Sequence, residues 1–74
     1  MITGTQITAL RWLAHHGGDG LFDRTHGNTV LAAGEISPVM RATWNGLVAA
    51  GLVERYGPKM RRVRLTEAGR KAAS

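Results

Sequence analysis

Residues 51–70 read GLVERYGPKMRRVRLTEAGR, and the order of turn residues and alternating apolar residues in this stretch decides the fold. Gly51 follows an apolar run of helical period. It is placed to close a helix as the left-handed C′ residue, with Leu52 folding back against the last turn. Residues 52–56 and 61–65 then have strand character, and residues 57–60 carry Gly57 and Pro58, which favour a tight turn. Val53 and Arg55 share one face of the first strand, while Leu52, Glu54 and Tyr56 share the other. On the second strand Val63 and Leu65 turn inward, with Arg61 on their side near the turn. Met60, Arg62 and Arg64 point the opposite way. Thr66 then caps a short helix over 67–73, with Glu67 at its start and Arg70 and Lys71 near its end, as the helix dipole prefers.

The charge sits in the same place. In residues 1–50, Arg11, Arg24 and Arg41 balance Asp19, Asp23 and Glu35. Residues 51–74 hold Arg55, Lys59, Arg61, Arg62, Arg64, Arg70 and Lys71 against Glu54 and Glu67, so the whole formal net charge of +5 lies there. A neutral body with a cationic end indicates where a polyanion would be met, nucleic acid first. Protecting a sheet edge takes only a few charges. A dense group of one sign, with nothing acidic beside it except Glu54, reads instead as a surface for phosphate. A membrane surface is the weaker reading, because no exposed aromatic belt accompanies the hairpin.

Length and composition bound the rest. The 74 residues make one α+β domain, 1–74, too small for a large enclosed substrate cavity. With no cysteine there is neither a disulfide nor a thiolate nucleophile. No apolar run approaches the roughly 18 residues of a membrane span, and no leader pattern opens the chain, so a soluble cytoplasmic protein is expected.

Residues 5–16 read as the first helix, capped by Thr3 or Thr5, with Ile7, Leu10, Leu13 and Ala14 on its core face and Trp12 off that stripe. The run Gly17-Gly18-Asp19-Gly20 ends it. Residues 21–24 and 29–32 read as short strands joined by 25–28, and the alternative is a short helix over 29–34.

Ser37-Pro38 is the clearest start signal in the chain, a favoured N-cap followed by a favoured first helical residue. The helix it opens, 38–50, sorts into two faces at 100° per residue. Met40, Thr43, Trp44, Leu47 and Val48 form the core stripe, with Val39 and Ala50 at its margin. Pro38, Arg41, Ala42, Asn45, Gly46 and Ala49 form the other face. That outer face lacks the Glu and Lys of a solvated helix. Its small residues permit close approach to another surface. Arg can donate two hydrogen bonds to guanine, and Asn can pair at two points with adenine.

The order helix, Gly51-Leu52-Val53-Glu54-Arg55, short hairpin with Arg61-Arg62, then Val63-Arg64-Leu65-Thr66-Glu67-Ala68-Gly69-Arg70, resembles the winged helix-turn-helix domains of bacterial regulators, the MarR-like group above all. The resemblance spans residues 37–71. It implies a small winged helix-turn-helix whose wing is the C-terminal basic hairpin. Helix 38–50 would be the recognition helix in the major groove of double-stranded DNA. Arg41, Asn45, Ala42 and Ala49 would face bases, and Ser37, Thr43, Arg55, Lys59, Arg61, Arg62 and Arg64 would meet phosphate. The long terminal helices that dimerise MarR-like proteins have no counterpart here, so any homodimer is expected to form by another route. The helix that precedes the recognition helix in that family is short here or replaced by a hairpin. A second reading keeps the same scaffold as a small phage-type inhibitor or adaptor, anti-CRISPR-like, gripping a host protein or RNA–protein complex.

No enzyme chemistry is evident in the residues. There is no Ser-His-Asp order, phosphate loop or dinucleotide fingerprint. His15, His16 and His26 are the conventional metal-ligand types present, and His15 and His16 are adjacent and so diverge on a helix. No cofactor, metal site or catalytic residue is expected.

Overall fold

The structure, a computed structural model, describes residues 2–23 and 29–74. In chain order it contains α1 (Gly4–His15), β1 (Asp19–Asp23), β2 (Thr29–Ala32), β3 (Glu35–Ile36), α2 (Arg41–Ala49), β4 (Val53–Tyr56), a 3-10 turn (Pro58–Met60), β5 (Arg62–Leu65) and α3 (Glu67–Ala73). The strands form one antiparallel sheet in the order β3-β2-β1-β5-β4. The helices pack on one face of it, and Leu10, Leu13, Trp44, Leu47, Val30, Val53 and Val63 are fully buried between the two layers. This is a small α+β domain, as its alternating hairpin and periodic helices predict.

Thr3 caps α1 through a reciprocal pair. Its hydroxyl accepts from the Gln6 N–H (3.1 Å), and the Gln6 side chain accepts from the Thr3 N–H (3.0 Å). The buried stripe is Ala9, Leu10 and Leu13, with Ile7 half-buried, whereas Ala14 is exposed. The stripe is rotated toward Ala9 because α1 meets α3 as well as α2 and the sheet.

β1 begins at Asp19, two residues ahead of expectation, because β5 offers it ladder partners that far: Asp19 pairs with Arg64 and Gly20 with Val63. Arg24 and the expected turn 25–28 lie outside the described residues. Residues 29–32 form a strand, paired with β1 through Leu21↔Leu31 and Phe22↔Val30, which removes the helical alternative for 29–34. Strand β3 was not expected from the sequence. It is reached through Ala33 and Gly34, both with positive φ (51° and 80°), the backbone sense of a tight hairpin turn.

The start of the second helix also needs correction. It begins at Arg41, not Pro38, and Met40 stands at its N-cap without a side-chain cap. Ser37 is drawn into the core instead. Its hydroxyl accepts from the Trp44 indole N–H (2.9 Å) and the Val39 N–H (3.1 Å). A buried indole needs an acceptor, and Ser37 supplies it. Met40, expected in the core stripe, is 77 % exposed because it precedes the helix.

The other end follows the sequence. Gly51, at φ 76°, closes a Schellman turn in which the Leu52 N–H reaches the Leu47 carbonyl (3.0 Å) and the Gly51 N–H reaches the Val48 carbonyl (3.1 Å). This places Leu52 in the core ahead of β4, so the strand starts one residue later than expected. Arg61 caps the 3-10 turn, so β5 likewise starts at Arg62. Thr66 caps α3 by accepting from the Gly69 N–H (3.0 Å), and its hydroxyl donates to the Gly51 carbonyl (2.7 Å). A Cβ at Gly69 would lie 1.9 Å from the Leu52 carbonyl oxygen. The glycine in Thr-Glu-Ala-Gly thus lets α3 lie directly on the α2–β4 turn and fixes the hairpin against the end of α2.

Candidate nucleic-acid interface

The hairpin has two faces with different chemistry. Arg55 shares the helix-side face with Val53, and its guanidinium carbon stands 4.8 Å from the centre of the Phe22 ring. Its Nε donates to the Met60 carbonyl (2.8 Å), which steadies the side chain along the turn. Arg41, the first residue of α2, brings its guanidinium carbon to 5.1 Å from the same ring. Phe22 on β1 is itself buried. One phenyl ring therefore gathers a cation from the helix and a cation from the hairpin, each within the range of a cation–π contact. The Phe22 N–H donates to the Arg61 carbonyl (2.8 Å), so Arg61 borders the same corner, and Lys59 is exposed at the hairpin tip. Asp19, Glu35, Glu54 and Glu67 form no ion pair with Arg41, Arg55, Lys59 or Arg61.

The opposite sheet face carries Arg62 and Arg64, and here the expectation of a cationic row with only Glu54 for company is overturned. Arg64 pairs with Glu54. Arg62 donates to the Tyr56 hydroxyl (3.3 Å) and lies 3.8 Å from an Asp19 oxygen. The Tyr56 hydroxyl donates to the other Asp19 oxygen. Both guanidinium groups stand on the Tyr56 ring, at 4.5 Å for Arg64 and 5.7 Å for Arg62. Hydrogen bonding to Tyr56, with the Asp19 carboxylate close by, raises the Arg62 pKa, and the bond to Glu54 raises that of Arg64. Asp19 comes from β1, far away in sequence, through the Asp19↔Arg64 pairing. These two arginines face away from Arg41 and are locally balanced, so they leave the set that one ligand at α2 could touch.

On α2, Ala42, Asn45 and Ala49 are exposed and Arg41 is half-buried, so the expected base-facing strip is open. Gly46 is not part of it: a Cβ there would sit 3.4 Å from the Gln6 side chain, at the α1–α2 contact. Ser37 is buried with its hydroxyl committed to Trp44, which removes it as a phosphate contact. Thr43 is half-buried in the first turn of α2. Phe22 and Asp19 were missed as organisers of the two arginine groups. Both lie on a strand that meets the hairpin only in the folded sheet.

A separate link joins the end of α1 to β3. The His16 ring stacks on Trp12 (4.4 Å between centres), with Nδ1 2.6 Å from the Trp12 carbonyl and Nε2 2.5 Å from a Glu35 oxygen. Both neighbours are acceptors, so the doubly protonated ring satisfies both. The Trp12 carbonyl first, and then Glu35, raise the His16 pKa above 6.5, against the opposing effect of burial. Among the described residues, no three His, Asp or Glu side chains are grouped to hold a metal ion, and no helix is long and apolar enough to cross a membrane. Comparison with known proteins gives no match: no family model, no curated protein and no solved structure matches the chain.

Proposed function

We propose that this chain is a winged-helix DNA-binding domain, of the kind used by transcriptional regulators, that docks duplex DNA across the corner between α2 and the β4–β5 hairpin. The chain order supports the reading: a helix, a strand that pairs with the second hairpin strand, a helix with a small-residue face, and the hairpin itself. Strands β2 and β3 stand where such a domain has the helix preceding its recognition helix. The observation that carries the proposal is the meeting of Arg41 and Arg55 on Phe22. It ties a groove-reading element to a backbone-holding element at one point.

In this account Arg41 and Asn45 address base edges, and Ala42 and Ala49 let α2 approach closely. Arg55, Lys59 and Arg61 hold phosphate. Three such contacts give a slope of log affinity against log salt of about −2.7. Titration of a mixed-sequence duplex by fluorescence anisotropy over a series of salt concentrations tests this, and a slope near zero contradicts it. Arg41→Ala relaxes preference at one base position by about 1–3 kcal/mol, read by binding selection on randomised duplexes.

A further inference from the structure

The sheet has a second face, and among the described residues no helix lies on it. Cross-strand pairing sets Ile36, Leu31, Leu21, Arg62 and Tyr56 in one row across all of β3, β2, β1, β5 and β4. Leu21 and Ile36 are 44 % and 49 % exposed, and Leu31 is half-buried. One end of the row is thus a continuous apolar strip, which a chain of this size has reason to cover. The other end, with the row beside it, carries Arg62 and Arg64 against Asp19 and Glu54. These four charges cancel, in a chain whose formal net charge is +5. A polyanion gains little there, and a second copy of the chain is repelled least there.

We infer that this face receives a second copy of the chain, sheet against sheet, about a two-fold axis passing near Leu21 on the central strand. The row is complementary to itself under that operation. Leu21 meets its own copy, while Ile36 and Leu31 of one protomer cover the Tyr56 ring and the aliphatic stem of Arg62 in the other. Opposite charges within the face let the two copies approach without a single-sign field. The links from Tyr56 to Asp19 and Arg62, and from Arg64 to Glu54, already order these side chains, so contact removes little rotamer freedom. This inference does not rest on the nucleic-acid reading, because Arg41 and Arg55 lie on the helix side.

The absence of cysteine makes the test direct. Leu21→Cys introduces a single thiol next to the axis, and Ala14→Cys places one on the exposed side of α1 as a control. Under mild oxidation Leu21→Cys forms a disulfide-linked dimer faster than the control. By sedimentation equilibrium the wild-type chain approaches twice its monomer mass as concentration rises. Ile36→Asp and, separately, Leu21→Lys return it to monomer mass with an unchanged far-UV circular dichroism spectrum. A wild-type chain that stays monomeric, a dimer that survives these substitutions in folded protein, or equal cross-linking of the two cysteine variants overturns the inference.

Discussion

Two arginine pairs flank the same hairpin, and the rings beneath them set what each pair can do. Arg41 and Arg55 stand on Phe22, and Arg62 and Arg64 stand on Tyr56. A phenyl ring attracts a guanidinium through its quadrupole and takes none of its N–H donors. A phenol takes part in a hydrogen-bond chain, and Tyr56 links Arg62 to the Asp19 carboxylate. Apart from the Arg55 Nε, which donates to the Met60 carbonyl, the first pair loses no donor to the ring it stands on, whereas the second spends much of its field on its own neighbours. Counting cations along a strand does not separate these cases. The partners arrive from other strands.

Substituting the rings gives the largest effect. Phe22→Ala empties a buried site and costs about 3–5 kcal/mol of stability, measured by urea denaturation. Phe22→Leu keeps most of the apolar volume and costs less than about 1.5 kcal/mol. It also removes the ring from two cations, at about 0.5–1 kcal/mol each, so duplex affinity falls in a variant that remains folded. Equal affinity for Phe22→Leu and wild type would break the contrast between the rings.

Tyr56→Phe makes the outer ring chemically like the inner one. It removes the hydroxyl link between Asp19 and Arg62 and costs about 0.5–1.5 kcal/mol of stability. Duplex affinity stays at the wild-type value, because the freed arginine faces away from α2. A marked change in affinity would show that the outer face takes part in binding.

The smallest effect concerns pH. His16 has its pKa raised in the folded chain, so its stabilising contribution is complete below pH 6.5 and is lost as pH rises through the folded value. Glu35→Gln flattens that part of the stability profile in thermal melts. Arginine stays charged throughout this range, so duplex affinity at the Phe22 corner holds steady while stability declines. A parallel fall in affinity would tie the two regions together.

What could be read from the sequence was local. The C′ glycine at Gly51, the Thr66 cap, the hairpin and the exposed small-residue face of α2 each depend on residues within a turn of one another. The features that escaped depend on distant partners. Ser37-Pro38 carries a strong helix-start signal, but the Trp44 indole, a full strand-to-helix connection away, claims the serine hydroxyl. Ala33 gives no sign of the left-handed turn that creates β3. Asp19 sits in a glycine-rich run that reads as a loop until β5 pairs with it and sets its carboxylate beside Arg62 and Tyr56. Phe22 carried no mark of its role, since one aromatic residue on a short strand looks like any core residue.

The unequal standing of the two arginine pairs is tested most directly by two double variants, Arg41→Ala with Arg55→Ala and Arg62→Ala with Arg64→Ala, each titrated against one duplex over a range of salt concentrations. Removing Arg41 and Arg55 should flatten the slope of log affinity against log salt by about 0.9, for the one phosphate that Arg55 holds, and lower affinity further through the base contact that Arg41 loses. Removing Arg62 and Arg64 should leave both slope and affinity near those of the wild type. The reverse pattern, or equal losses from the two pairs in folded proteins, would contradict the assignment of the binding surface to the Phe22 corner.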